Sequence, residues 1–269
     1  YGDHRDLHRV DRRQRQMCIR DSHKIEQNGR VIHAGQWIEE RAGIFPNFNF
    51  TRALKKELSQ DEGTIFCYAP HEKIVLSEIY NQLKNSQEED RYQLCRFIEN
   101  ILPSKNSCGK IIEGTGRIVD MRDIIINYHY DPYTRGSNSL KTVLPAIINS
   151  SAMLKKKYGA PIYGTDAMPS MNYKGWTWIR PEKQNDPYKT LPPLSENLEE
   201  EKLSEYLENF NEIAEGGAAM TAYAKLQFFD MPQTERKKLV QGLLRYCELD
   251  TLAMVMLYQY WCEECRGNK

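Results

Sequence analysis

The chain has 269 residues, with 37 Lys and Arg against 37 Asp and Glu, 40% hydrophobic residues and 28% charged. Such a balance excludes an overall electrostatic footprint for nucleic acid, so any contact of that kind has to come from a local basic channel. No apolar run approaches a membrane span, and the composition is that of an ordinary globular domain. The seven cysteines are too irregularly spaced for a secreted disulfide framework and are read as reduced thiols of a cytoplasmic protein. Cys262-Glu263-Glu264-Cys265 is a lone C-x-x-C with no second pair to complete a zinc site, and His23, His33, His71 and His129 show no zinc spacing.

Residues 1–22 carry six of the Arg and four of the Asp. A stretch this basic invites reading as a nucleic-acid-binding arm. Its codons, however, match a short-read library adaptor from the flow-cell end through to the transposon end. We therefore expect residues 1–22 to be adaptor-derived and not native, and the natural N-terminus to be missing. Residues 23–269, with 31 basic and 33 acidic side chains and a net charge of −2, are expected to form one domain.

Along the chain, Asn28-Gly29 predicts a hairpin turn into a strand over 30–38, with the earlier strand cut short. Helices are predicted over 48–58, 73–83, 92–101 and 121–128, and strands over 64–68 and at 117–120, where Asp120 is placed to cap the following helix. The stretch 150–196 is rich in Pro, Tyr and Trp and nearly aperiodic; it is expected to be an inserted loop region that faces substrate as a lid. Helices over 204–214 and 218–226 flank Gly216-Gly217, and a long helix runs over 235–261. An antiparallel start followed by strand–helix alternation predicts an α/β fold with a mixed sheet flanked by helices.

Four constellations could carry chemistry. Tyr246 and Asp250 are four apart in the last helix and so share a face, with Asp250 on the side of the apolar stripe, where a carboxylate needs a cation or a donor. Glu72 stands just past a strand, at the entry to a helix. Strand ends there are usual ligand sites in α/β sheets, and complementing the helix dipole is the alternative role. Arg135, Ser137, Ser139 and Lys141 precede a short helix and could bind phosphate; helix capping by Ser137 or Ser139 explains the two serines equally well. Gly216-Gly217-Ala218-Ala219-Met220 permits close backbone approach but lacks the spacing of a nucleotide-binding fingerprint.

Taken in order, Tyr68-Ala69-Pro70-His71-Glu72, the run from Gly136 to Lys141, Asp186-Pro187-Tyr188, the Gly216-Gly217 segment and Tyr246-x-x-x-Asp250 resemble an uncharacterised bacterial domain family of the ribonuclease H-like superfamily, among the DEDD-type 3′-to-5′ exonucleases. The resemblance runs from about residue 23 to 261. It implies a ribonuclease H-like mixed sheet, here without its first strand, and metal-dependent phosphodiester hydrolysis by two Mg²⁺ or Mn²⁺ ions. By the same resemblance Asp250 and Glu72 are metal ligands, Tyr246 orients the attacking water, and Arg135, Ser137, Ser139 and Lys141 contact DNA or RNA. Family members often carry a RecB-like nuclease domain upstream. The Asp-x-Glu motif of the first strand does not occur between His23 and Glu72. The intact protein is thus expected to be a nuclease and this chain to be inactive. The rival reading is a non-catalytic nucleic-acid-binding or scaffolding module on a degenerate ribonuclease H-like fold, because Glu72 stands where the superfamily prefers Asp.

Overall fold

Asn28 and Gly29 do turn the chain: Gly29 takes φ 80°, and the Asn28 side chain accepts a hydrogen bond from the Arg30 N–H at 2.8 Å. In a computed structural model that describes residues 19–41, 43–104, 116–192, 222–223, 225–227 and 231–267, this turn joins β1 (Ile19–Ile25) to β2 (Val31–Ile38) as an antiparallel pair. The register shifts between Ser22 and His23. Residues 19–22, expected to be adaptor-derived, are thereby part of β1. The two-residue period of β2 buries Val31, His33 and Gly35 on one face, so a histidine points into the interior beside a valine.

Helix α1 (Asn47–Leu58) follows, then β3 (Ile65–Cys67), α2 (His71–Lys84), α3 (Arg91–Ile101) and β4 (Ile118–Asp120). β3 and β4 pair in parallel, Cys67 opposite Asp120, which requires the long crossover that α2 and α3 supply. The expected single mixed sheet is thus formed, among the described residues, as two separate two-stranded sheets, one antiparallel and one parallel. The α/β class holds. Helix α4 (Met121–Tyr128) starts where predicted because the Asp120 side chain accepts the Arg122 N–H at 3.0 Å.

The helix after Ser139 is longer than expected: α5 (Leu140–Ser150) is followed directly by α6 (Ala152–Tyr158), capped by Ser151. The described part of stretch 150–196 therefore contains a helix where only loop was expected. Tyr163, Tyr173 and Trp178 are buried, with ring centroids 5.4 Å apart for Tyr163–Trp178 and 4.8 Å for Tyr173–Trp178, in the same core as Leu144 and Ile147 of α5. Aromatic packing of this kind has no sequence period, which is why the segment reads as loop. The predicted helix over 204–214 and the segment 216–220 lie outside the described residues.

The last helix, α7 (Gln233–Gly267), is 35 residues long, about 52 Å at 1.5 Å per residue. Its Leu249, Leu252, Ala253 and Met256 enter the α5–α6 core, and its Leu239 and Leu243 join Tyr223 and Leu226 in a second cluster with Ile19 and Ile38 of the hairpin. A third cluster unites α1, α2 and α3 around Phe50, Ile79 and Ile98. No helix among the described residues is long and apolar enough to cross a membrane.

Candidate functional site

β3 ends in a tight turn. Ala69 sits at φ 81°, in the left-handed region that a side chain disfavours, and its N–H donates to Asp120 Oδ1 at 2.9 Å. Asp120 Oδ2 faces the Lys73 ammonium at 2.9 Å. One carboxylate therefore caps α4, clamps the end of β3 and pairs with α2; the capping role assigned to Asp120 from the sequence is correct, and the clamp is additional.

That turn places Glu72 in the first turn of α2. Its Oε2 is buried and accepts no hydrogen bond. Burial pushes the Glu72 carboxyl up to about 7, the charges of Asp120 and Asp250 add to the rise, and its own backbone N–H and Lys73 oppose it. Its place in the first turn of α2 suits the helix dipole, and its buried Oε2 is left without a donor.

On α7, Tyr246 and Asp250 share a face as predicted. Asp250 Oδ1 accepts the Tyr188 hydroxyl at 2.8 Å, and the Tyr188 and Tyr246 rings lie 6.4 Å apart. Lys141 completes the group, its Nζ 5.2 Å from the Tyr246 ring centre and 5.5 Å from that of Tyr188. Burial raises the Asp250 carboxyl to about 6 although the Tyr188 hydroxyl and Lys141 favour its charge. Burial, then Asp250, raises the Tyr246 phenol, which stays protonated. Tyr188 reaches Asp250 because Asp186 caps its short turn, accepting the Tyr188 N–H at 3.0 Å.

The other predicted residues divide. Ser137 Oγ is engaged locally, 3.3 Å from Thr142 Oγ1 and accepting the Ser139 N–H at 3.3 Å. Ser139 occupies the N-cap position of α5 without a side-chain capping bond. Arg135 is exposed, in a left-handed conformation at φ 51°, and does not join the Asp250 group. Tyr68 holds this loop against the end of β3 by donating to the Asn138 carbonyl at 2.8 Å.

The structure thus brings Glu72, Asp250, Tyr246 and Lys141 into one neighbourhood, with Asp120 at its edge. Among the described residues, no three His, Cys, Asp or Glu side chains converge as metal ligands would. Glu72 offers an unbonded buried oxygen, but two carboxylates are too few for a two-ion site. The donor set among the described residues does not fit the metal pair that the resemblance implies.

Sequence reading missed a second polar group, on nearly the opposite side of α7, because residues 248 and 250 differ by roughly 200° around a helix. Glu248, and not Asp250, is the fully buried acid of α7. It accepts the Tyr163 hydroxyl at 2.6 Å, the Asn172 amide at 2.7 Å and a hydrogen bond from Ser170, and it lies 3.0 Å from His33 Nδ1. His33 Nε2 is 2.8 Å from Asp21. Burial alone would lower the His33 pKa, but hydrogen bonds to Asp21 and Glu248 carry it up to about 9, so it is an imidazolium at neutral pH. An imidazolium has no lone pair for the Met171 N–H that stands 3.1 Å from Nδ1, so that contact is not a hydrogen bond in the charged state. His23, stacked on His33 at 5.1 Å, is held down to about 3 by burial and then by the His33 charge. The signal for this group was the alternation of β2, which puts His33 on the Val31 face; metal-ligand spacing was the wrong test for it.

The model of a protein family described as a domain of unknown function (DUF2779) matches residues 13–139, just under half of the chain. The match begins inside the segment expected to be adaptor-derived, includes Glu72, Arg135, Ser137 and Ser139, and ends before Lys141, Tyr246 and Asp250. No curated protein and no solved structure matches the chain.

Proposed function

We propose that the intact protein is a metal-dependent nuclease, of the 3′-to-5′ exonuclease-like ribonuclease H type, and that this chain carries an incomplete version of its site. One observation carries the reading: Asp250 on α7 accepts the Tyr188 hydroxyl at 2.8 Å beside Tyr246, whose ring centre lies 5.2 Å from Lys141 Nζ, while Glu72 at the end of β3 keeps a buried oxygen without a hydrogen bond. Buried carboxyls with raised pKa values are common at catalytic centres. The reading draws from the fold only the order of an antiparallel pair and then a parallel pair, formed as two separate sheets, and it requires an Asp-x-Glu motif that does not occur between His23 and Glu72. Mg²⁺ or Mn²⁺ would be held by that motif together with Glu72 and Asp250; DNA or RNA is the substrate class, and a RecB-like domain upstream is a companion in the same native chain.

A second reading, a non-catalytic nucleic-acid-binding or scaffolding module, is favoured by the lack of three converging ligands among the described residues. The discriminating experiment recovers the gene upstream of residue 23 and assays its full product on end-labelled oligonucleotides with Mn²⁺. Metal-dependent cleavage abolished by Asp250→Asn supports the nuclease. An upstream strand without Asp-x-Glu, or cleavage indifferent to Asp250, supports the module.

A further inference from the structure

Lys141 is the second residue of α5, in the turn of a helix where a cation is disfavoured, because the unpaired N–H groups there carry partial positive charge. No acidic side chain stands in the first turn of α5 to offset it. The offset comes from two remote parts of the chain. Lys141 Nζ lies 5.5 Å from the ring centre of Tyr188 and 5.2 Å from that of Tyr246, within reach of both π faces. The Tyr188 hydroxyl donates to Asp250 Oδ1 at 2.8 Å, so the ring that faces the ammonium also holds the carboxylate. Lys141 in turn favours the charged form of Asp250, and that of Asp186 at the start of the Tyr188 turn.

Two phenol rings and a carboxylate, drawn from the Tyr188 turn and α7, thus make a cage suited to a cation, and the cation seated in it belongs to the chain itself. Lys141, Tyr188, Tyr246 and Asp250 are all half-buried, where charges are screened less than at a free surface. The ammonium therefore repels any divalent ion brought to Asp250. Nor do the phenols help such an ion. Tyr188 directs its proton at Oδ1, one of the oxygens an ion would need, and burial keeps both hydroxyls protonated, which makes them poor ligands. The misfit between these donors and a metal pair has a local cause.

We propose that Lys141 is the built-in counter-cation of Asp250 in this chain, seated between the Tyr188 and Tyr246 rings, where it keeps a divalent metal ion from the carboxylate. The inference rests on the nuclease reading for the kind of ion alone, Mg²⁺ or Mn²⁺. It concerns this chain and its incomplete set of acids.

The test is titration of the whole chain with Mn²⁺ near neutral pH, the free ion being read by electron paramagnetic resonance. Lys141→Met removes the charge and keeps much of the side-chain length, and it should bind Mn²⁺ tighter than wild type by about tenfold or more. Lys141→Arg, still cationic, should stay at the wild-type level, and Lys141→Met/Asp250→Asn should return to it. Equal binding by wild type and Lys141→Met would overturn the proposal, as would a gain in Lys141→Arg or one that survives Asp250→Asn. If circular dichroism shows Lys141→Met to be unfolded, reductive methylation of the wild-type chain decides. Lys141 should then react more slowly than the exposed Lys156 by about tenfold or more, and equal rates would overturn the proposal. Neither measurement involves cleavage. A full-length product that does or does not cut oligonucleotides leaves these outcomes as they are, so the counter-cation and the nuclease reading fail separately.

Discussion

His33 Nδ1 and Glu248 Oε1 lie 3.0 Å apart, joining β2 to α7 across 215 residues of chain, and neither side chain is reached by solvent. Buried ion pairs contribute modestly when complete, yet losing one member leaves a charge without its partner. Here Glu248 also terminates hydrogen bonds from Tyr163, Ser170 and Asn172.

Glu248→Ala is accordingly expected to destabilise the chain by about 3–5 kcal/mol. Urea unfolding followed by circular dichroism measures it. A loss under about 1 kcal/mol would place Glu248 with ordinary surface acids.

The same pair predicts a pH dependence. The His33 pKa rises from 6.5 to about 9 on folding, so the native state binds more protons between those values and stability must fall across that window as pH increases. The contribution is complete below about pH 6.5 and gone above about 9, with an upper bound of about 3 kcal/mol. His23, held down to about 3, acts oppositely and lower, favouring stability as pH rises from about 3 to 6.5. Unfolding free energies at pH 6.5 and 9 should therefore converge in His33→Gln, while the wild type loses stability at the higher pH. Parallel losses in both proteins would remove His33 as the cause.

Tyr188→Phe deletes the hydroxyl that Asp250 accepts at 2.8 Å. Burial, the main reason why Asp250 is raised to about 6, would then act with less opposition, and its pKa should climb further. Carboxyl carbon NMR shifts across a pH titration read this directly. The lost bond to a charged acceptor should cost about 1.5–3 kcal/mol where Asp250 is ionised. An Asp250 pKa that drops or stays fixed would mean that Tyr188 does not donate to it.

At the β3 turn, Asp120→Ala removes a helix cap, the Ala69 clamp and the Lys73 ion pair together. The cap alone is worth about 1 kcal/mol, so a loss of roughly 2 kcal/mol or more is expected. Ala69→Gly should act the other way, by up to about 1 kcal/mol, because glycine takes φ 81° without the penalty that a Cβ incurs there. Thermal denaturation of both variants checks the pair; a destabilised Ala69→Gly would show the left-handed turn to be unstrained.

Much of this architecture was legible locally. Asn28-Gly29 specified the hairpin turn, Asp120 specified the start of α4, and apolar periodicity located α1, α2, α3 and α7 to within a few residues at most ends. Tyr246 and Asp250 could be assigned to one face because helical spacing alone decides that. Each of these signals acts over a handful of residues, so no knowledge of the partner surface is required.

What lay beyond the sequence was the choice of surfaces that meet. The buried aromatics of stretch 150–196 follow no period, since their positions answer to the shape of the core and not to a helix or strand repeat. The spacing of Tyr188 and Asp250 says nothing of their hydrogen bond, nor that of His33 and Glu248 of their ion pair. Sequence alone determined which residues share a face of each element; tertiary structure decided which acid was sealed in, which tyrosines were left out, and that burial raises the Glu72 and Asp250 carboxyls, because burial and electrostatics depend on distances that only packing sets.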